Sequence, residues 1–157
     1  MTTNPVFCFD MDGTIADLYG VEGWLADLRS FSTRPYEQAR PMMNFSALAR
    51  QLNAAQRHGA QLVIISWSSK CSNDSFDAAI RKAKMDWLAE HLPSVEWDAI
   101  HVVPYGMNKA GVCGVMGEDF ILFDDEEHNR NQWEELDGLA FNPSDIATIL
   151  KRFNRGA

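Results

Sequence analysis

Apolar residues fall along this chain in short continuous runs, each followed by a stretch in which they recur every three or four positions. The runs at 5–10, 61–67, 99–104, 119–124 and 138–141 predict five strands. Within them apolar residues are continuous rather than alternating, the pattern of strands covered by helices on both faces. Asn44 caps a predicted helix that carries Phe45, Leu48, Ala49, Leu52 and Ala55 on one side and closes at Gly59. Asp74 caps a longer one with Phe76, Ala79, Ile80, Ala83, Trp87 and Leu88, stopped by Pro93. A third starts at Asn142-Pro143 and buries Ile146, Ile149, Leu150 and Phe153. Asp145 in its first turn and Lys151 and Arg152 in its last suit the helix dipole. Weaker helical patterns lie near 109–116 and 127–136. This β-α-β-α order predicts a single α/β domain over 1–157. It is a doubly wound, mostly parallel, five-stranded Rossmann-like sheet with helices on both faces.

Composition narrows what such a domain can do. With 157 residues, 46% of them hydrophobic, the chain is long enough to build a core without disulfides or structural metals. The net charge of −8 opposes general nucleic-acid binding, which depends on a surplus of Lys and Arg. The deficit is concentrated: residues 117–137 hold nine Asp and Glu against one Arg. An anionic substrate must therefore be met by a metal or by a few well-placed cations. No apolar window is long enough for a membrane span, and no basic start with an apolar stretch marks a secretory signal. The three cysteines, Cys8, Cys71 and Cys113, are far apart and form no CxxC pair, as expected of free thiols in a reducing compartment. A cytoplasmic protein with no membrane partner is expected.

In a doubly wound sheet, ligands bind beyond the carboxyl ends of the strands, so the residues at those ends carry the chemistry. The first strand runs into Phe9-Asp10-Met11-Asp12-Gly13-Thr14, the second ends in Ser66-Trp67-Ser68-Ser69, and the fourth ends in Asp124-Asp125-Glu126-Glu127. Lys109 opens the weak helix between the third and fourth strands. Each segment alone also has a simpler reading, as a turn, a helix start or a solvated charge. Together, Asp10, Asp12, Asp124 and Asp125 converge, and unit charges about 4 Å apart repel by about 4 kcal/mol at an effective dielectric of 20. A cation among them relieves this, and an all-oxygen donor set without His or Cys suits Mg²⁺. An EF-hand loop starting at Asp10 is excluded, because its sixth and twelfth positions are Ile15 and Val21.

These four segments resemble the motifs of the haloacid dehalogenase (HAD) superfamily, chiefly its phosphatase branch, and the layout is similar to small phage-encoded HAD hydrolases. The Asp-x-Asp-x-Thr motif matches Asp10, Asp12 and Thr14; Ser66, Lys109 and the pair Asp124-Asp125 match the remaining three, over roughly residues 5–141. The resemblance implies that Asp10 is a nucleophile forming an aspartyl-phosphate and Asp12 a general acid and base. It implies Mg²⁺ held by Asp10, the Asp12 backbone carbonyl and Asp124. Ser66 and Lys109, with the adjacent Trp67, would bind phosphate. Thr14 and Asp125 are supporting residues, Asp125 either serving the metal's water shell or orienting Lys109. Asp at position 12 favours phosphate-ester hydrolysis over dehalogenation.

Only about 29 residues separate Thr14 from Asn44, and about 42 separate Ser66 from Lys109, so no large cap domain fits. A small helical flap near 17–40 remains. The resemblance implies that a member without a large cap acts on a large substrate, such as a phosphoprotein or a nucleic-acid end, or has its site covered by a partner subunit, for instance a second copy of the chain in a homo-oligomer. Tyr19, Trp24, Arg34, Tyr36 and Arg40 in the flap, with Trp67, either stack a nucleobase and hold a second phosphate or pack the flap onto the core. The leading expectation is a phosphomonoesterase for a nucleotide or other small phosphate. A polynucleotide end phosphatase and a binder of a phosphorylated ligand without turnover are the alternatives.

Overall fold

The computed structural model describes residues 4–156. Five strands, β1 (Val6–Phe9), β4 (Gln61–Trp67), β5 (Ala99–Val103), β6 (Phe120–Phe123) and β7 (Leu139–Phe141), form one parallel sheet in the order β5-β4-β1-β6-β7. After β1 the chain builds outward through β4 and β5, then returns to the other side of β1 for β6 and β7. The order therefore reverses at β1, and the crevice at the carboxyl ends of β4, β1 and β6 is the switch point where such sheets bind ligands.

The continuous apolar strands have the two-sided burial that their pattern implies. Phe7, Phe9, Leu62, Ile64, Ile121 and Phe123 share one core with Leu48 and Leu52 of α3 (Phe45–Arg57) and Ile149, Leu150 and Phe153 of α6 (Ile146–Gly156). The alternate positions Cys8, Val63, Ile65 and Leu122 pack on the other side against Trp133 of α5 (Glu127–Glu135) and against Ala110. A slip of one residue in any strand would exchange these two sets.

Three sequence readings differ in detail. The long helix α4 (Asp74–His91) is capped by Asn73, whose extended backbone lets its side chain accept from Phe76 N at 2.8 Å. Asp74 instead occupies the first turn. The third predicted helix opens with a 3-10 turn at Pro143–Asp145 before α6 begins. Segment 109–116 is a series of turns rather than a helix: Val112 N bonds Lys109 O at 3.2 Å and Gly114 N bonds Gly111 O at 3.0 Å. Gly114 adopts φ 84°, which an α-helix does not allow. The apolar residues of this segment cover the sheet nonetheless.

The flap consists of a two-residue antiparallel pair, β2 (Ala16–Asp17) with β3 (Arg40–Pro41), enclosing the short helices α1 (Trp24–Arg29) and α2 (Arg34–Gln38). Arg34 staples it internally, pairing with Asp27 and donating to Glu22 O at 2.6 Å and Gln38 Oε1 at 2.8 Å. Leu18, Leu28 and Tyr36 pack on Phe76, Ile80 and Ala83 of α4, and Trp87 Nε1 donates to Ala39 O at 2.8 Å. The flap is thus fixed to α4, while Ala16 and Ala39 at its base join the core on the sheet. No helix among the described residues is long and apolar enough to cross a membrane.

Candidate active site

β1 delivers Asp10 one residue beyond its last paired position, where Asp10 N still bonds Phe123 O at 3.0 Å. The chain then turns sharply. Gly13 is required in that turn: it sits at φ +81°, and a Cβ there would stand 2.3 Å from Asp125 Oδ2. The turn swings Thr14 back, so that its hydroxyl donates to Asp10 Oδ2 at 2.8 Å and accepts from Asp125 N at 3.2 Å. Asp124 follows β6 in the same manner and is fully buried.

Lys109 lies between these two strand ends. Its ammonium donates to Asp10 Oδ1 at 2.9 Å and to Asp124 Oδ2 at 2.8 Å, and stands 5.3 Å from the Trp67 ring centroid. Burial pulls its pKa down, but Asp10 and Asp124 outweigh that and hold it above the ordinary lysine value. Asp10 and Asp124, rather than Asp125, therefore orient Lys109. Asp125 belongs to a different group: one carboxylate oxygen each from Asp10, Asp124 and Asp125 lie within 4.8 Å of one another. The Asp12 side chain is outside that trio.

Two residues that the sequence reading did not single out complete the site. Lys84, 1% exposed, donates to Asp12 Oδ2 at 2.9 Å, Ser66 Oγ at 2.5 Å and Trp67 O at 2.7 Å. Asn129, also buried, donates from Nδ2 to Asp124 Oδ2 at 3.1 Å, while its Oδ1 has no hydrogen-bond partner. The signal for Lys84 was a cation inside the apolar stripe of α4, four residues after Ile80 and directly after Ala83. For Asn129 it was a polar residue in the first turn of the helix that follows the acidic pair, near enough in sequence to reach back to it. His128 between them is exposed.

The donor set fits Mg²⁺. Three carboxylate oxygens stand almost as close as opposite ligands of an octahedral Mg²⁺, which are about 4.2 Å apart. Four carboxylates and two buried lysines leave two negative charges, the number that one divalent cation cancels. The unpartnered Asn129 Oδ1 is an acceptor suited to a metal-bound water.

The local pKa values carry the same message. Burial, reinforced by Asp10, pushes Asp124 up to about 6 and Asp125 up to about 8. Burial also raises Asp12, against the pull of Lys84. Above the ordinary carboxylate pKa of about 4, the unfolded chain releases protons that folded Asp124 and Asp125 retain, so metal-free stability falls as pH rises toward about 8 and then levels off. In chelator, the melting temperature is expected to drop across this window, and saturating Mg²⁺ is expected to flatten or reverse the drop. A chelated protein whose melting temperature is level, or rises, from about pH 5 to 8 contradicts this electrostatic description.

No family model and no curated protein sequence matches the chain. Solved structures do. The D,D-heptose 1,7-bisphosphate phosphatase of Burkholderia thailandensis superposes with a TM-score of 0.60 at 13% identity, covering 95% of this chain and 97% of its own. The B. bronchiseptica enzyme of the same name, complexed with magnesium and phosphate, gives a TM-score of 0.62 at 13% identity, covering 98% and 99%. This chain has the haloacid dehalogenase fold. An uncharacterized protein from Corynebacterium glutamicum is also similar, with a TM-score of 0.50 and 17% identity over 94% of this chain and 93% of that one. Each of the three structures is matched over nearly its full length.

Above these carboxylates lies a cleft of about 380 Å³. Its walls carry two aromatic pairs, Tyr19 with Trp24 and Trp67 with Tyr105, each with ring centroids 5.0 Å apart. Arg29 and Lys70 join Lys109 as its cations. Arg34 is committed within the flap and Arg40 lies outside the cleft, so neither supplies the second phosphate contact that the sequence suggested.

Proposed function

We propose that the chain is a Mg²⁺-dependent phosphomonoesterase working through an aspartyl-phosphate on Asp10. The observation that carries this reading is the division of labour among the acids: Asp10 is shared by Lys109, Thr14 and the carboxylate trio, whereas Asp12, two residues on, faces away toward Lys84. A site that only held a phosphorylated ligand would gain nothing from a second, separately held carboxyl group. Mg²⁺, held by Asp10, Asp124 and Asp125 with the Asp12 carbonyl, would neutralise charge on the phosphoryl oxygens.

Asp10 attacks phosphorus as the ester P–O bond breaks, and Asp12 gives its proton to the departing alcohol oxygen. Water then attacks the same phosphorus and Asp12 takes its proton. The bond from phosphorus to Asp10 breaks, releasing inorganic phosphate. Lys109 balances charge at the nucleophile, and Trp67, Ser68 and Ser69 at the end of β4 line the cleft, with the sequence-predicted phosphate ligand Ser66 fully buried behind them and bonded to Lys84. Holding Asp10 against Asp124 through Lys109 fixes the direction of attack before substrate arrives.

For the substrate we propose a nucleoside monophosphate or another small phosphate bearing a flat ring. The two aromatic pairs support this, since stacking is worth about 1–3 kcal/mol per base. The net charge of −8 works against long strands. The test is phosphate release from nucleoside monophosphates, sugar phosphates, phosphopeptides and 3′-phosphorylated oligonucleotides, with Mg²⁺ and with chelator. Nucleoside monophosphates are expected to have the highest kcat/KM. Release confined to oligonucleotides would replace this substrate class, and tight binding with no release from any compound would end the enzyme reading.

A further inference from the structure

A lysine that is 1% exposed is costly to bury, and Lys84 is held by contacts that all belong to the site. It reaches in from the middle of α4, and its three hydrogen bonds run to Asp12 after β1 and to Ser66 and Trp67 at the end of β4. The Tyr36 ring of the flap covers the same ammonium at 4.8 Å from its centroid. The three donors of the ammonium are thus spent on one carboxylate, one hydroxyl and one carbonyl. Lys109, the other buried lysine, touches neither Asp12 nor Ser66; it serves Asp10 and Asp124. Each lysine therefore governs one acid of the Asp-x-Asp pair.

Resting on the phosphomonoesterase reading, we propose that Lys84 is a positioning residue that ties Asp12 to Ser66 and aims the Asp12 carboxyl group at the leaving-group oxygen. Asp12 follows a turn, and its side chain remains partly open to the cleft, with 16% of its surface accessible. Without the ammonium, nothing else among its described hydrogen bonds fixes the carboxyl group. Ser66 and Trp67 O would lose their donor at the same time, so the general acid and the end of β4 that borders the cleft would loosen together. Tyr36 extends the connection to the flap, linking the cover of the cleft to the acid beneath it.

The distinguishing measurement is dependence on the leaving group. Proton donation matters most for an alkoxide and little for 4-nitrophenolate, so misplacing the acid penalises the two esters unequally. In Lys84→Met, which keeps the length and removes the ammonium, kcat/KM for an alkyl phosphate is expected to fall by about 10²-fold or more, and that for 4-nitrophenyl phosphate by less than about 10-fold. Equal losses on both esters would show a structural role only and overturn the inference.

A cycle with Asp12→Asn provides a second test that leaves no buried carboxylate unpaired. If Lys84 acts through Asp12, adding Lys84→Met to Asp12→Asn changes alkyl-phosphate kcat/KM by less than about 3-fold, whereas fully additive losses contradict it. Failure of the wild-type protein to release phosphate from either ester in an Asp10-dependent way would overturn the phosphatase reading and this inference with it. Release with equal or additive losses overturns this inference alone.

Discussion

Asp10→Asn is expected to abolish phosphate release, lowering kcat by at least about 10⁴-fold, while the protein stays folded. The substitution removes the attacking oxygen without changing the volume of the side chain. One of its two polar contacts survives unchanged, since the remaining amide oxygen accepts from Lys109 in place of Asp10 Oδ1. The other is to a hydroxyl, and Thr14 Oγ1 turns from donor to acceptor as readily as it donates. Loss of one negative charge beside Asp124 and Asp125 also relieves repulsion in the metal-free state. The melting temperature in chelator is therefore expected to be unchanged or higher. Thermal unfolding and phosphate release on the same preparation check both halves. A variant retaining near-normal turnover contradicts covalent catalysis by Asp10.

Removal of the metal is expected to have the second largest effect. Chelation should lower turnover by about 10³-fold or more, corresponding to several kcal/mol of charge stabilisation at the phosphoryl oxygens. Mg²⁺ should restore it. Ca²⁺ should restore it poorly, because it takes more ligands in a looser geometry than octahedral Mg²⁺ and so fixes the phosphoryl oxygens less strictly. Chelation is a cleaner test than replacing Asp124. That side chain accepts from Lys109, Asn129 and Glu126 N at once, so an amide there would face a donor at one of these contacts. Turnover unaffected by chelator, with no bound divalent ion in the protein, would mean that the acids are held by their lysines alone.

Much of this architecture is visible in the sequence because it depends on local pattern. Continuous apolar runs such as Gln61–Trp67 mark strands buried on both faces, and the acids after β1 and β6 mark the switch point. The turn at Gly13 is equally local, since a left-handed residue between two carboxylates has few alternatives to glycine. What escaped the sequence depends on packing between distant elements. Lys84 lies 18 positions beyond Ser66 and 72 beyond Asp12, and only the tilt of α4 against the sheet brings it to both. Segment 109–116 has helix-like apolar spacing, yet its glycines and the demand that Lys109 point into the carboxylates convert it to turns. Arg34 illustrates the opposite case: a cation credible as a phosphate ligand from composition is consumed by Asp27 and Glu22 within the flap.

The most direct test of the central claim is to trap the protein during turnover. The protein is mixed with Mg²⁺ and a nucleoside monophosphate, quenched in acid within the first turnovers, and its peptides are examined by mass spectrometry. The mass of one phosphoryl group is expected on the peptide containing Asp10, absent in chelator and absent in Asp10→Asn. Brisk phosphate release with no phosphorylated Asp10 at any quench time, or with the phosphoryl group on another residue, would contradict it.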